Sequence, residues 1–357
     1  MTLPERMSGM VLTGHGGLDK LEWRDDLPVP RPGPGEVVIK VGAAAVNNTD
    51  VNTRTGWYSK SVRGDTASGA AGYEGDAAMI GSWSGTPLGF PRIQGADCCG
   101  EIVAVGEGVA GTRIGERVLV RTMQSRTTDS GGFEVWTFGS ECDGGFAEYT
   151  KITSQDAIAV NSSLSDVELA TFPCAFSTAE GMIQRAVVGA ERVLITGASG
   201  GVGSAAIQLA RRRGAHVTAV TSASKAADLK ALGADETLDR DAAYPERSFD
   251  VVLDLVGGAR WGDLIDALVD RGRYVTSGAI AGPIVELDLR TLYLRDLTLY
   301  GSTYQPDSIF TDLVGYIEAG EIRPVVSATY ALEELRQAQE AFLEKAFVGK
   351  IGIRVGG

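Results

Sequence analysis

The densest chemical signal in the chain is the stretch ITGASGGVGSAAIQLA at residues 195–210. Its glycines stand between a short apolar run, RVLIT, and a helix-forming segment. Gly197 allows a tight turn, Gly200 and Gly201 let backbone approach a bound group, and Gly203 lets helix and strand pack closely. Ser199 and Val202 complete the bend. A helix N-terminus at this point offers free N–H groups and a partial positive charge. In this strand–turn–helix context the group best served is the pyrophosphate of a dinucleotide. An ordinary glycine-rich turn is the alternative reading.

The next strand indicates which dinucleotide. About 20 residues beyond such a turn, an Asp or Glu usually meets the ribose hydroxyls of NAD. Here the segment reads HVTAVTSASK. Thr221 and Ser222 are small hydroxyl donors, Lys225 is cationic, and Arg240 follows the strand after that. Nothing there repels a 2′-phosphate, so NADP(H) is the expected cofactor. Lys225 and Arg240 would also serve as ordinary solvated surface charges.

Other reactive side chains are scarce. There are two histidines, His15 and His216, and four cysteines, Cys98, Cys99, Cys142 and Cys174, with no C-x-x-C pair. Sparse thiols suit a reducing compartment better than a disulfide framework. The formal net charge of −13 argues against a nucleic-acid partner. No long uncharged apolar run suggests a membrane span, and the N-terminus lacks a secretory pattern. A cytoplasmic protein acting on a small molecule is the plain expectation.

The elements that must position these residues fall into two patterns. At 357 residues, with 44% hydrophobic residues, the chain has material for two cores. Up to about residue 157 it reads as short strands broken by Gly and Pro, among them 36–46 and 101–109. Beyond that, a helix capped by Ser163 or Ser165 opens an alternation of strands (192–196, 216–220, 249–255, 273–276, 297–300) with helices (202–213, 225–232, 261–268). Alternation at these lengths predicts an α/β fold with a doubly wound parallel sheet of Rossmann type. The expected division is a β-rich domain over 1–157, a dinucleotide domain over 158–306, and a return to the first domain over 307–357. Residues 59–91 and 122–145 read as insertions.

Several segments together resemble the medium-chain dehydrogenase/reductase superfamily over nearly the whole length. They are AAAVNNTDV (43–51), GADCCGEIVAVGEGV (95–109), GERVLV (115–120), GGFAEY (144–149), the glycine turn, DLVGG (254–258) and GKIGIRV (349–355). The resemblance implies a GroES-like catalytic domain, with the nicotinamide in the cleft between domains, and a homodimer. Its alcohol-dehydrogenase branch holds a catalytic zinc. There Asn47 stands in place of the first ligand, a cysteine, and Gly95-Ala96-Asp97 in place of a Gly-His-Glu motif. Only Cys174 matches a ligand. Zinc needs three protein ligands, so no metal is expected, and Cys98, Cys99 and Cys174 read as small buried thiols.

What remains is similar to the zinc-independent quinone oxidoreductases and enoyl reductases. The implied activity is NADPH-dependent hydride transfer to a quinone or a carbonyl-activated alkene. In this setting Tyr58 is implied as the group that hydrogen-bonds or protonates the product, and Asn47 as a partner of the same oxygen or of the nicotinamide amide. A loop aromatic and a turn residue are their ordinary alternatives. Further cofactor contacts are implied at Thr178, Val256, Gly278, Ala279, Ser302 and Thr303. Zinc-type alcohol oxidation and NADPH binding without turnover are the competing expectations.

Overall fold

The strand Glu36–Ala45 is apolar on both faces, and Val37, Val38, Ile39, Ala43, Ala44 and Ala45 are all fully buried. Such a strand is stable only where both faces are covered. In the computed structural model, which describes residues 3–66, 84, 87–124, 126–127, 132–134 and 136–356, it is central to the larger sheet of the first domain. Cys99–Val105 pairs with it along one edge, while Tyr149–Thr153 and Lys350–Arg354 share the other, all antiparallel. Arg117–Val120 and Ala157–Ala159 extend the sheet one way and Val326–Ala331 the other. A smaller sheet joins Leu21–Pro28, Arg6–Leu12 and Arg92–Ile93. The expected strand over 101–109 runs instead from Cys99 to Val105. A Cβ on Gly106 would lie 1.8 Å from the Gly33 carbonyl oxygen, and Gly108 has φ +82°, so the chain turns there.

The second domain is the expected α/β unit. Its sheet runs Glu236–Asp239, His216–Thr221, Arg192–Ile195, Phe249–Asp254, Leu268–Thr276, Thr298–Gly301, and every pairing is parallel. Numbered by chain position, that order is 3-2-1-4-5-6. The strand order therefore reverses between Arg192–Ile195 and Phe249–Asp254, and ligands bind such sheets at the carboxyl ends beside that point. Val193, Leu194, Ile195, Val251, Val252 and Leu253 are fully buried because helices cover both faces. Helix Asp166–Leu169, which packs on the first domain's sheet, is capped by Ser165, whose Oγ accepts the Glu168 N–H while the Glu168 carboxylate accepts the Ser165 N–H.

The return to the first domain comes later than residue 307. Helix Asp307–Glu318 buries Ile309, Phe310, Leu313, Val314 and Ile317 in the same core as Met182 and Ile183 of helix Pro173–Arg185. The chain rejoins the first sheet only at Val326–Ala331. Much of the segment 59–91 and part of 122–145 lie outside the described residues. Among the described residues no helix is long and apolar enough to cross a membrane.

The domains meet at Gly349, whose N–H donates to the Ser199 carbonyl oxygen of the glycine turn at 2.9 Å. Gly349 has φ +84°, and a Cβ there would lie 2.3 Å from the Val325 carbonyl oxygen. Gly349→Ala is expected to cost about 2–3 kcal/mol through backbone strain and this clash. A clearly lowered thermal midpoint is the expected result; an unchanged midpoint would contradict this account of the joint.

Candidate active site

A cavity of about 1330 Å³ runs along the carboxyl ends of the parallel strands and under the first domain. All the expected site residues line it. Gly197, Ser199, Gly200, Gly201, Val202 and Gly203 form one wall. Thr221, Ser222, Lys225 and Arg240 stand at one end, with Val256, Gly278, Ala279, Ser302 and Thr303 at the successive strand ends. Thr178, Asn47 and Tyr58 lie at the catalytic-domain side. His15 and His216 do not line the cavity.

The glycine turn is shaped by close approach. Gly197 has φ +58°, and a Cβ on Gly203 would lie 2.3 Å from the Gly197 carbonyl oxygen. Helix Gly201–Arg212, with Gly200 as its N-cap, therefore begins against the strand end and turns its free N–H groups to the cavity. Opposite, the buried Asp254 holds the neighbouring loop. Its carboxylate accepts from Thr196 Oγ1 at 2.5 Å, Tyr274 Oη at 2.6 Å, and the N–H groups of Val256 at 2.9 Å and Gly257 at 3.1 Å. Burial and the Asp254 charge push the Tyr274 phenol well above its ordinary range, so it stays a donor. The cradle, closed to side chains and open to an anion, fits a dinucleotide pyrophosphate.

The catalytic end is built around Asp97. Its Oδ1 accepts the Cys174 N–H at 2.7 Å, in the first turn of helix Pro173–Arg185. Its Oδ2 accepts Asn47 Nδ2 at 2.7 Å and Lys350 Nζ at 2.8 Å. Lys350 Nζ also donates to Asn47 Oδ1, and Asn47 Nδ2 donates to the Ala45 carbonyl oxygen at 3.2 Å. Both amide hydrogens of Asn47 are thus donated within this network. Asn47 is also the N-cap of helix Asn48–Thr55, where Asp50 Oδ2 accepts its backbone N–H at 2.8 Å. Burial first, and then the neighbouring Asp97 charge, raise the Asp50 carboxyl to about 7, against its bonds to backbone N–H groups and the opposing Lys350 charge.

Lys350 carried no signal in the sequence beyond its place in GKIGIRV. A lysine opening an apolar strand usually snorkels to solvent, and only the fold shows it 96% buried or more, with a side-chain exposure of 4%. Its aliphatic stem crosses the glycine turn, where a Cβ on Gly201 would lie 2.6 Å from Lys350 Cδ. Tyr58 reaches the cavity because Gly56, at φ +64°, ends helix Asn48–Thr55 and turns the chain. Its ring packs edge-on to Trp57 at 5.7 Å, and the Thr66 N–H donates to the Ile280 carbonyl oxygen at 3.1 Å, tying this loop to the cofactor domain.

A catalytic zinc does not fit this donor set. An amide, a carboxylate already bound to an ammonium, and a thiol that burial and the Asp97 charge hold protonated offer no three free ligands. Among the described residues no group of three or more His, Cys, Asp or Glu could hold a metal ion. The energetic weight of the network is testable. Asp97→Asn leaves a buried ammonium without its counter-charge and is expected to cost about 3 kcal/mol. Adding Lys350→Met should recover a substantial part, read as a coupling in a denaturation double-mutant cycle; strict additivity would refute the pairing.

The family described as "Alcohol dehydrogenase GroES-like domain" matches residues 33–162, and "Zinc-binding dehydrogenase" matches residues 201–318. The chain is 29% identical to acryloyl-coenzyme A reductase of Metallosphaera sedula, over 97% of this chain and 99% of that one. It is 28% identical to quinone oxidoreductase of Lama guanicoe, over 94% of this chain and 93% of that one. A protein from Sinorhizobium meliloti 1021 of known crystal structure is 46% identical, with a TM-score of 0.89 covering 99% of this chain and 97% of that one. The chain belongs to the medium-chain dehydrogenase/reductase superfamily and is an oxidoreductase of that family.

Proposed function

We propose that the protein is an NADPH-dependent reductase that adds hydride to a carbonyl-activated alkene or to a quinone, with no metal taking part. The observation that carries this reading is the Asn47–Asp97–Lys350 network. In it Asn47, at the position where the alcohol-dehydrogenase branch carries its first metal ligand, is held by Asp97 and Lys350 instead. The other end of the same cavity supports NADPH, because Lys225 and Arg240 stand there beside Thr221 and Ser222. Acryloyl-coenzyme A reductase and quinone oxidoreductase, among the relatives, bear names that agree with either acceptor.

When bound, the nicotinamide supplies the hydride. The chain's own groups orient the acceptor and handle the proton. Tyr58 donates a hydrogen bond to the acceptor's carbonyl oxygen, stabilises the negative charge that grows there, and delivers its proton to the product. Asn47, with its amide committed, acts as a positioning residue: it holds Asp97 and Lys350 and so fixes the cavity floor. The apolar strand ends and the loop tied at Thr66 exclude water. A homodimer formed edge to edge through Thr298–Gly301 completes the reading. That strand ends the sheet, and Leu289, Tyr293 and Leu294 lie exposed just before it.

Turnover is followed by loss of NADPH absorbance with enones, enoyl thioesters and quinones, before and after dialysis against a chelator. Turnover that survives chelation is expected. No oxidation with any acceptor, or activity that vanishes on chelation and returns with zinc, refutes the reading. Tyr58→Phe is expected to lower kcat by roughly 10²-fold while leaving the KM for NADPH within about twofold.

A further inference from the structure

Helix Leu335–Glu344 of the first domain ends at Lys345, which has φ +54°. A lysine in the left-handed region is uncommon and is held there by its surroundings. Its Nζ donates to Asn48 Oδ1 at 3.1 Å and lies 3.6 Å from the centre of the Phe342 ring. Its carbonyl oxygen accepts Lys225 Nζ at 2.5 Å. That last bond crosses between domains, since Lys225 belongs to the turn Ala223–Lys225 after strand His216–Thr221.

Lys225, Arg240 and Lys345 therefore line one stretch of the cavity. Among the described residues none of the three has a carboxylate partner within ion-pair distance. Elsewhere in the second domain Arg192, Arg211, Arg212, Arg213 and Arg273 are each paired with a carboxylate. The groups facing Lys345 are the cations Lys225 and, beyond it, Arg240, together with the neutral Asn48 amide and Phe342 ring. Glu344, next to it on its own helix, is exposed. Burial brings Lys345 down to about 7, with the Lys225 charge adding to the fall. Burial, and then Arg240, lower Lys225 as well. Three cations held together without an anion form a site that a phosphate monoester would complete.

We infer that Lys345 is a cofactor-phosphate ligand that reaches across from the catalytic domain to join Lys225 and Arg240, sets the preference for a 2′-phosphorylated dinucleotide, and couples its binding to uptake of a proton. The inference rests on the NADPH reading and deepens it. The sign follows from linkage. Below about pH 7 Lys345 is already charged in the free protein, and binding needs no proton. Above that pH the free side chain is largely neutral, the bound phosphate restores its charge, and one proton enters with the cofactor. Affinity for NADPH therefore declines as pH rises from about 7 toward the pKa of Lys345 in the complex. NADH has no 2′-phosphate and shows no such decline.

The test is calorimetric binding of NADPH and NADH to the full chain at about pH 6.5 and about pH 8.5, in two buffers of different ionisation enthalpy. The wild type is expected to take up close to one proton with NADPH at the higher pH and none with NADH. Lys345→Gln should raise the Kd for NADPH by about tenfold or more, change that for NADH by less than about twofold, and abolish the uptake. Lys345→Arg, charged throughout, should keep NADPH affinity without proton uptake. If Lys345→Gln weakens both cofactors equally, or neither, the inference falls while the NADPH reading stands. A wild type that binds NADH as tightly as NADPH overturns the reading itself and the inference with it.

Discussion

A carboxylate removed from water must be compensated at every lone pair it presents, or the fold loses several kcal/mol. Asp97 is fully buried and is compensated by groups from three distant parts of the chain. One is the N–H of Cys174 at the start of a helix, where a negative charge is also favoured by the helix dipole. The second is the Asn47 amide at the cap of another helix, and the third is the Lys350 ammonium opening the last strand. None of these elements can move alone without stranding a buried charge. The cavity floor, the end of the first domain's central sheet and the first turn of the Pro173–Arg185 helix are thereby held in one arrangement.

Asp254 performs the matching task on the cofactor side. It holds Thr196, Tyr274 and the backbone of Val256 and Gly257 with a single carboxylate, so that the strand ends on either side of the switch point keep a fixed spacing. The Gly349–Ser199 hydrogen bond and the Lys350 stem across Gly201 then seat one domain on the other beside the glycine turn. The cleft is accordingly asymmetric. One end has the cations Lys225, Arg240 and Lys345, the middle has backbone donors and small residues, and the catalytic end has Tyr58 and the Asn47–Asp97–Lys350 network. That gradient orients a long anionic cofactor before any acceptor enters.

The chemistry proposed for the site depends on this asymmetry. A metal would polarise an acceptor oxygen directly; here Asp97 and both amide hydrogens of Asn47 are committed to hydrogen bonds with the protein's own groups. Tyr58, on a loop released by Gly56 and tied down at Thr66, is the group we propose to meet developing charge. At the far end the Lys225–Lys345 hydrogen bond adds a cross-domain contact.

Local features were legible from sequence because short-range geometry decides them. The glycine turn, the Ser165–Glu168 cap and the strand–helix alternation each depend on residues within a few positions of one another. The expected cofactor and catalytic residues converge on one cavity because strand ends in a doubly wound sheet share an edge. Edge strand Glu236–Asp239 was legible only as a strand before Arg240, without bounds, because its half-exposed ETLD carries no apolar run, and the strand expected through residue 109 stops at Val105 because Gly106 packs on Gly33. The sequence by itself determined the nucleotide turn, the parallel sheet and the missing zinc ligands. Only the tertiary structure decided what stands where those ligands are absent. Lys350 and Asp97 are 253 positions apart and Lys345 and Asn48 are 297, and pairings at such separations are set by how two sheets and their helices pack, which no local pattern encodes.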